Sequence, residues 1–169
     1  RGEIQVAGEQ LDQMGEAARD RRRGRNIGMV YQTFNLLQPF SALENVLPGS
    51  RLGAGAGGDA RDRAASLLEK VGLGERMHHR PGELSVGQVQ RVAICRALIN
   101  DPQLVLMDEP LGNQDKATGG QVLDLMLQIA SDSHTTVVMV THDPESAERM
   151  QRTVDLATLR RDFAAEASR

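Results

Sequence analysis

Three apolar-rich runs of strand length punctuate the chain, and between them apolar residues recur at helical spacing. Asn26 to Tyr31 (NIGMVY), Leu104 to Met107 (LVLM) and Thr135 to Val140 (TTVVMV) are bounded by turn-forming or polar residues. Such continuous runs predict strands of a parallel sheet, buried on both faces. Helical spacing runs through Arg61 to Val71, with Ala64, Ala65, Leu67, Leu68 and Val71 on one side. It returns after Ser85, through Val89, Val92, Ala93 and Ala97, and from Gln121 to Ala130, through Val122, Leu123, Leu125, Met126 and Ile129. Gly72 and Gly74, Asn100-Asp101-Pro102, and Pro144 punctuate these segments.

The remaining stretches are less regular. Glu3 to Val6 predicts a short strand with a turn at Gly8, and Leu11 to Arg23 is polar and partly helical. Ser41 can cap a helix after the break at Pro39, and Gly49 to Ala60 (GSRLGAGAGGDA) predicts a flexible loop. Strands alternating with amphipathic helices give an α/β chain. At ELSVGQVQRVAICRAL, Ser85 and Gln88 have the spacing of a capping box, which fixes a helix start. Val86 stands beside Gly87 there, and a β-branched residue is strongly disfavoured wherever φ must be positive.

Polar residues collect just past the ends of the three central strands: Gln32, the pair Asp108-Glu109, and His142. Parallel sheets bind ligands at this carboxyl edge. An acid in the position of Asp108 suits Mg²⁺, which takes oxygen ligands and keeps waters that a carboxylate can hold. The next residue, Glu109, stands where a general base could act on water. Taken alone, the same pair also reads as a helix cap or a loop carboxylate, and His142 as a surface histidine ahead of Pro144.

Composition narrows the partners. The 169 residues carry a net charge of −3 and only 2% aromatics without Trp, so neither a basic footprint nor a base-stacking platform is expected, and no nucleic-acid partner. The basic run Arg19 to Arg25 reads as a solvated face or loop. One cysteine, Cys95, excludes a disulfide framework or a cysteine-based metal site within the chain, and suits a reducing, cytoplasmic setting. No apolar run reaches membrane-spanning length.

The order of these segments resembles the nucleotide-binding domain of ATP-binding cassette (ABC) proteins. GMVYQTFNLLQPFSALENV is similar to the Q-loop region with Gln32, LSVGQVQRVAICRAL to the LSGGQ signature and its helix, and LVLMDEP to the Walker B strand. LGNQD, Leu111 to Asp115, is similar to the D-loop, and VVMVTHD to the switch-histidine strand. The wording around them is closest to exporter-type ATPases of the lipoprotein-releasing and macrolide-exporter group. The resemblance implies a partial P-loop NTPase (RecA-like) parallel-sheet core, about 26–39 and 99–145, with an inserted α-helical subdomain about 40–98 and a C-terminal extension 146–169.

The resemblance also implies roles. The cofactors would be ATP and Mg²⁺. Glu109 would be the general base, His142 would touch the γ-phosphate, Asp108 would hold Mg²⁺ through water, and Gln32 would contact Mg²⁺ and couple to the membrane partner. Ser85, Gly87 and Gln88 would act on ATP held by a second nucleotide-binding domain facing head to tail, with Asp115 at the seam. The other partner would be a transmembrane permease, received in part by Phe34 to Val46. The chain would then sit in the cytoplasm, peripheral to the inner face of the membrane.

The family also needs a GxxxxGK[ST] phosphate loop, and the only two lysines, Lys70 and Lys116, do not follow glycine. RGEIQVAGEQL resembles the segment just after the P-loop helix. The expectation is therefore a fragment of an ATPase subunit, inactive alone, with apolar surface left uncovered. Val86 replaces the first signature glycine; Leu111 and Gln114 depart from the usual D-loop, Cys95 stands where Ala is usual, and Thr153 to Arg169 lacks the usual Asp-Gly turn. A degenerate, non-catalytic remnant or regulatory partner is one alternative, and a soluble nucleic-acid-associated ABC ATPase is another.

Overall fold

The structure, a computed structural model, describes residues 3–52, 59–111 and 116–158. Two short antiparallel strands, β1 (Gln5–Val6) and β2 (Glu9–Gln10), form a hairpin turned at Ala7-Gly8. Helix α1 (Glu16–Asn26) follows, then β3 (Ile27–Val30), α2 (Ala42–Leu52), α3 (Asp59–Lys70) and α4 (Val86–Leu98). The chain continues through β4 (Leu104–Asp108), α5 (Lys116–Asp132), β5 (Thr136–Val140) and α6 (Pro144–Glu148). The arginine run is helical, not a loop. It occupies most of α1, whose last turn holds Arg23 and Arg25 where the helix dipole favours positive charge. Arg22 ties this helix to the hairpin through Glu9 at 2.8 Å.

Strands β3, β4 and β5 form a parallel sheet in that order. Its register aligns Met29, Leu106 and Val138 across one face, and Val30, Met107 and Met139 across the other. The Val30 face is packed: Val30, Val105 and Met107 lie against Ile94, Ala97 and Leu98 of α4 and Val122 and Met126 of α5. The opposite face is open, with Met29 42%, Val138 48% and Val140 55% exposed. The sequence predicts burial on both faces. Among the described residues helices pack on one face, so β5 alternates between half-buried and exposed positions.

Helices α2, α3 and α4 enclose a second core of Leu43, Val46, Leu68, Val71, Leu73, Val92, Cys95 and Ile99. Helix α4 therefore stands between two cores and is buried beyond the single stripe its spacing predicts. Gln90, Ile94, Cys95 and Leu98 are buried as well, while Val89 is only half-buried. Burial pushes the Cys95 thiol up to about 12, so it behaves as a small apolar side chain. Close approach to α4 accounts for two glycines. A Cβ at Gly28 would collide with the Ala97 carbonyl, and one at Gly49 with the Arg96 carbonyl. Helix α2 thus runs through Pro48 and Gly49, into the stretch expected as loop; residues 53–58 of that stretch lie outside the described residues. Among the described residues no helix is long and apolar enough to cross a membrane.

Candidate functional site

Because β3, β4 and β5 run parallel and nearly in register, their carboxyl ends share one edge. Val30 pairs with Met107, and Asp108 with Val140. That edge carries exposed Gln32 two residues past β3, exposed Asp108 as the last residue of β4, Glu109 next to it, and His142 two residues past β5. The three strands bring these sequence-predicted residues to one side of the sheet.

Glu109 is the best-held of them. Its backbone adopts φ +42°, a left-handed conformation that side-chain-bearing residues rarely take and that costs about 1 kcal/mol or more. The following Pro110 adds to the strain, since the residue before proline is normally pushed to extended backbone. The Glu109 N–H donates to the Val140 carbonyl at 2.9 Å, which fastens the end of β4 to the end of β5. Its side chain turns to the same strand end. Oε1 accepts from the His142 backbone N–H at 2.9 Å and meets His142 Nδ1 at 2.7 Å, and Oε2 accepts from the Thr141 hydroxyl at 3.2 Å.

The hydrogen bond to Glu109, together with that carboxylate's charge, raises the His142 imidazole above the ordinary histidine value. The ring itself is 86% exposed, so its outer edge faces solvent. The loop beyond is fixed by Asp143, which caps α6 by accepting from the Ser146 N–H at 3.0 Å. His142 is thus exposed beside the cap, and Asp143 is the cap residue. Thr141 is a contributor that sequence reasoning assigned no role.

The signature segment forms as its spacing predicts. Ser85, with φ −67° and ψ 162°, caps α4; its hydroxyl accepts from the Gln88 N–H at 3.3 Å, and Gln88 Oε1 accepts from the Ser85 N–H at 2.9 Å. Both side chains are therefore engaged with the helix's own backbone. At this helix start the N–H groups of Val86 and Gly87 have no partner within the helix and carry the positive end of its dipole. Val86 lies outside the left-handed region, so its β-branched side chain brings no backbone strain. That side chain is 60% exposed, in front of the helix start, while Gly87 is buried. Asp115 and Gln114 lie outside the described residues.

Two further buried polar residues tie helices to loops. Gln90 on α4 is fully buried, and its Nε2 donates to the Pro110 carbonyl at 2.7 Å. Its signal in the sequence is a polar residue inside an otherwise buried helix. Asn45 on α2, also buried, accepts from the Leu37 N–H and donates to the Leu37, Phe40 and Ser41 carbonyls, which fixes the loop following Gln32. Leu37 and Phe40 themselves remain exposed on that loop. A cavity of about 600 Å³, lined by Met29, Tyr31, Arg96 and Leu106 among others, includes none of the expected site residues.

The chain has clear relatives. The ABC transporter family model matches residues 1–112. The lipoprotein-releasing system ATP-binding protein LolD of Pseudomonas fluorescens is 47% identical over 156 residues, covering 92% of this chain and 69% of that protein. The LolD protein of Pseudomonas syringae pv. tomato is 49% identical over 155 residues, covering 92% and 68%. Among solved structures, the ATP-binding cassette MJ0796, dimeric in a post-hydrolysis state bound to ADP and phosphate, superposes with a TM-score of 0.73 at 36% identity. That match covers 87% of this chain and 65% of the cassette. The chain thus spans about two thirds of the length of the proteins it matches.

Proposed function

The chain belongs to the ABC transporter family, and from that premise we propose that it forms the ATP-hydrolysing part of a membrane transporter of the lipoprotein-releasing kind. The observation that carries this reading is the geometry of Glu109, a carboxylate at the carboxyl edge of a parallel sheet, fastened at its backbone to β5 and at its side chain to Thr141 and His142.

The cofactors are ATP and Mg²⁺. No group of three or more acidic, histidine or cysteine side chains that could cage a metal occurs among the described residues. Exposed Asp108 and Gln32 offer oxygen donors on the same edge, a sparse donor set that fits a cation keeping most of its waters. When bound, Mg²⁺ neutralises charge on the transferring phosphoryl group. Asp108 would hold the cation through its waters, with the Gln32 side chain as a further oxygen donor. Glu109 accepts a proton from the attacking water. His142, with Nδ1 turned to Glu109, presents its outer edge to the γ-phosphate.

Ser85, Gly87 and Gln88 serve ATP held by a second nucleotide-binding domain. With Ser85 and Gln88 capping α4, the N–H groups of Val86 and Gly87 are the donors aimed at phosphate, as helix starts commonly are. Asp115, outside the described residues, is assigned to the seam of that head-to-tail dimer. Phe34 to Val46, with Leu37 and Phe40 exposed, receives the permease, so the protein sits in the cytoplasm against the inner face of the membrane. In this reading about 40–98 form the helical subdomain, about 26–39 and 99–145 the RecA-like core, and 146–169 a C-terminal extension. The test is ATP turnover by a longer version of the chain, carrying a GxxxxGK[ST] loop, with and without permease in vesicles. Permease-stimulated turnover supports the reading. Absence of turnover supports instead a non-catalytic regulatory partner.

A further inference from the structure

Glu109 holds an unfavourable backbone conformation, and such strain persists only where the surroundings over-determine it. One anchor is its own N–H on the Val140 carbonyl. A second lies one residue on. Pro110 is buried, and its carbonyl accepts from Gln90 Nε2 at 2.7 Å, across 20 positions of sequence. Gln90 is 0% exposed on a helix whose neighbouring buried positions, Val92, Ala93 and Ile94, are apolar. Burying an amide there is costly unless it is hydrogen-bonded, whereas an apolar side chain of similar size would carry no such cost. The amide therefore does something that packing does not require.

We infer that Gln90 is a positioning residue for Glu109, clamping the Pro110 carbonyl so that the carboxylate stays turned toward Thr141 and His142. The clamp also joins two half-sites. Gln90 lies one turn into α4, the helix whose start carries Ser85, Val86 and Gly87, so a displacement of that start on meeting the partner's nucleotide reaches Glu109 through one side-chain hydrogen bond. This second consequence rests on the proposed function; the clamp itself does not.

Amide hydrogen exchange on the described chain tests the clamp without any nucleotide. In Gln90→Met, which keeps the length and removes the donor, the Glu109 and His142 amides are expected to exchange roughly tenfold faster or more, while those of the central strand β4 keep their rates. Val92→Ala, a destabilising change on the same helix, should leave the ratio of Glu109 to β4 exchange unchanged. Unaltered Glu109 and His142 amides in Gln90→Met, uniform acceleration including β4, or the same selective loosening in Val92→Ala would each overturn the inference. Should Gln90→Met not fold, the native chain decides. Side-chain amide protons of Gln90 that exchange in step with the Glu109 amide support the clamp; Gln90 protons exchanging roughly tenfold faster than a still-protected Glu109 amide overturn it. A failed clamp leaves the role of Glu109 in turnover untouched, because that role is read by a different substitution.

Discussion

One carboxylate oxygen of Glu109 meets His142 twice, at the backbone N–H (2.9 Å) and at ring Nδ1 (2.7 Å). The ring contact is strongest when the imidazole is protonated, which is why its proton affinity is raised. A histidine raised in the folded state contributes stability that is fully present below its unfolded value, about 6.5, and is lost as pH rises through the folded value. His142 should therefore titrate above an ordinary histidine by NMR, and Glu109→Gln should return it toward the ordinary value. In urea melts the stability difference between the native chain and Glu109→Gln should shrink as pH rises past the folded midpoint. An unchanged His142 titration in the variant would show that the pair is not formed in solution.

Ser85 and Gln88 satisfy each other's backbone N–H groups at the start of α4. Ser85→Ala removes the cap and should lower stability by about 1 kcal/mol in urea denaturation. An effect near zero would mean that the helix start is held by its packing alone.

Val86 is free of left-handed strain, so any cost of this residue lies in its exposed methyl groups before the helix start. In a longer version of the chain with a GxxxxGK[ST] loop, Val86→Gly should raise ATP turnover. Folding stability should change by only roughly a few tenths of a kcal/mol, because position 86 is the first residue of the helix and valine is itself a weak helix former. Equal turnover would show that the methyl groups do not crowd the phosphate.

The 169 residues contain no GxxxxGK[ST] sequence, the loop whose backbone N–H groups cradle the phosphates in P-loop proteins. The chain alone should show no ATP turnover. Turnover that disappears in Glu109→Gln would contradict this.

Much of the site was legible because its logic is local and periodic. Unbroken apolar runs located β3, β4 and β5, and parallel strands bring the residues after them to one edge, so Gln32, Asp108, Glu109 and His142 could be grouped from order alone. The cap of α4 was legible from the spacing of Ser85 and Gln88. What stayed hidden depends on tertiary contact. The left-handed backbone of Glu109 has no signal in a sequence where the following proline argues for extended geometry. The second buried side of α4 follows from its place between two cores, which a single apolar stripe does not encode. The open face of β5 reads as buried in the sequence because Val138 and Val140 are as apolar as Val137 and Met139. Only packing distinguishes them.

The central claim is that Glu109 activates the attacking water in ATP hydrolysis. The most direct measurement is turnover of Glu109→Gln in the longer chain carrying a phosphate loop, alongside its binding of ATP. Loss of general-base catalysis should reduce turnover by about 100-fold or more while ATP binding is retained. An undiminished rate in Glu109→Gln would contradict the account.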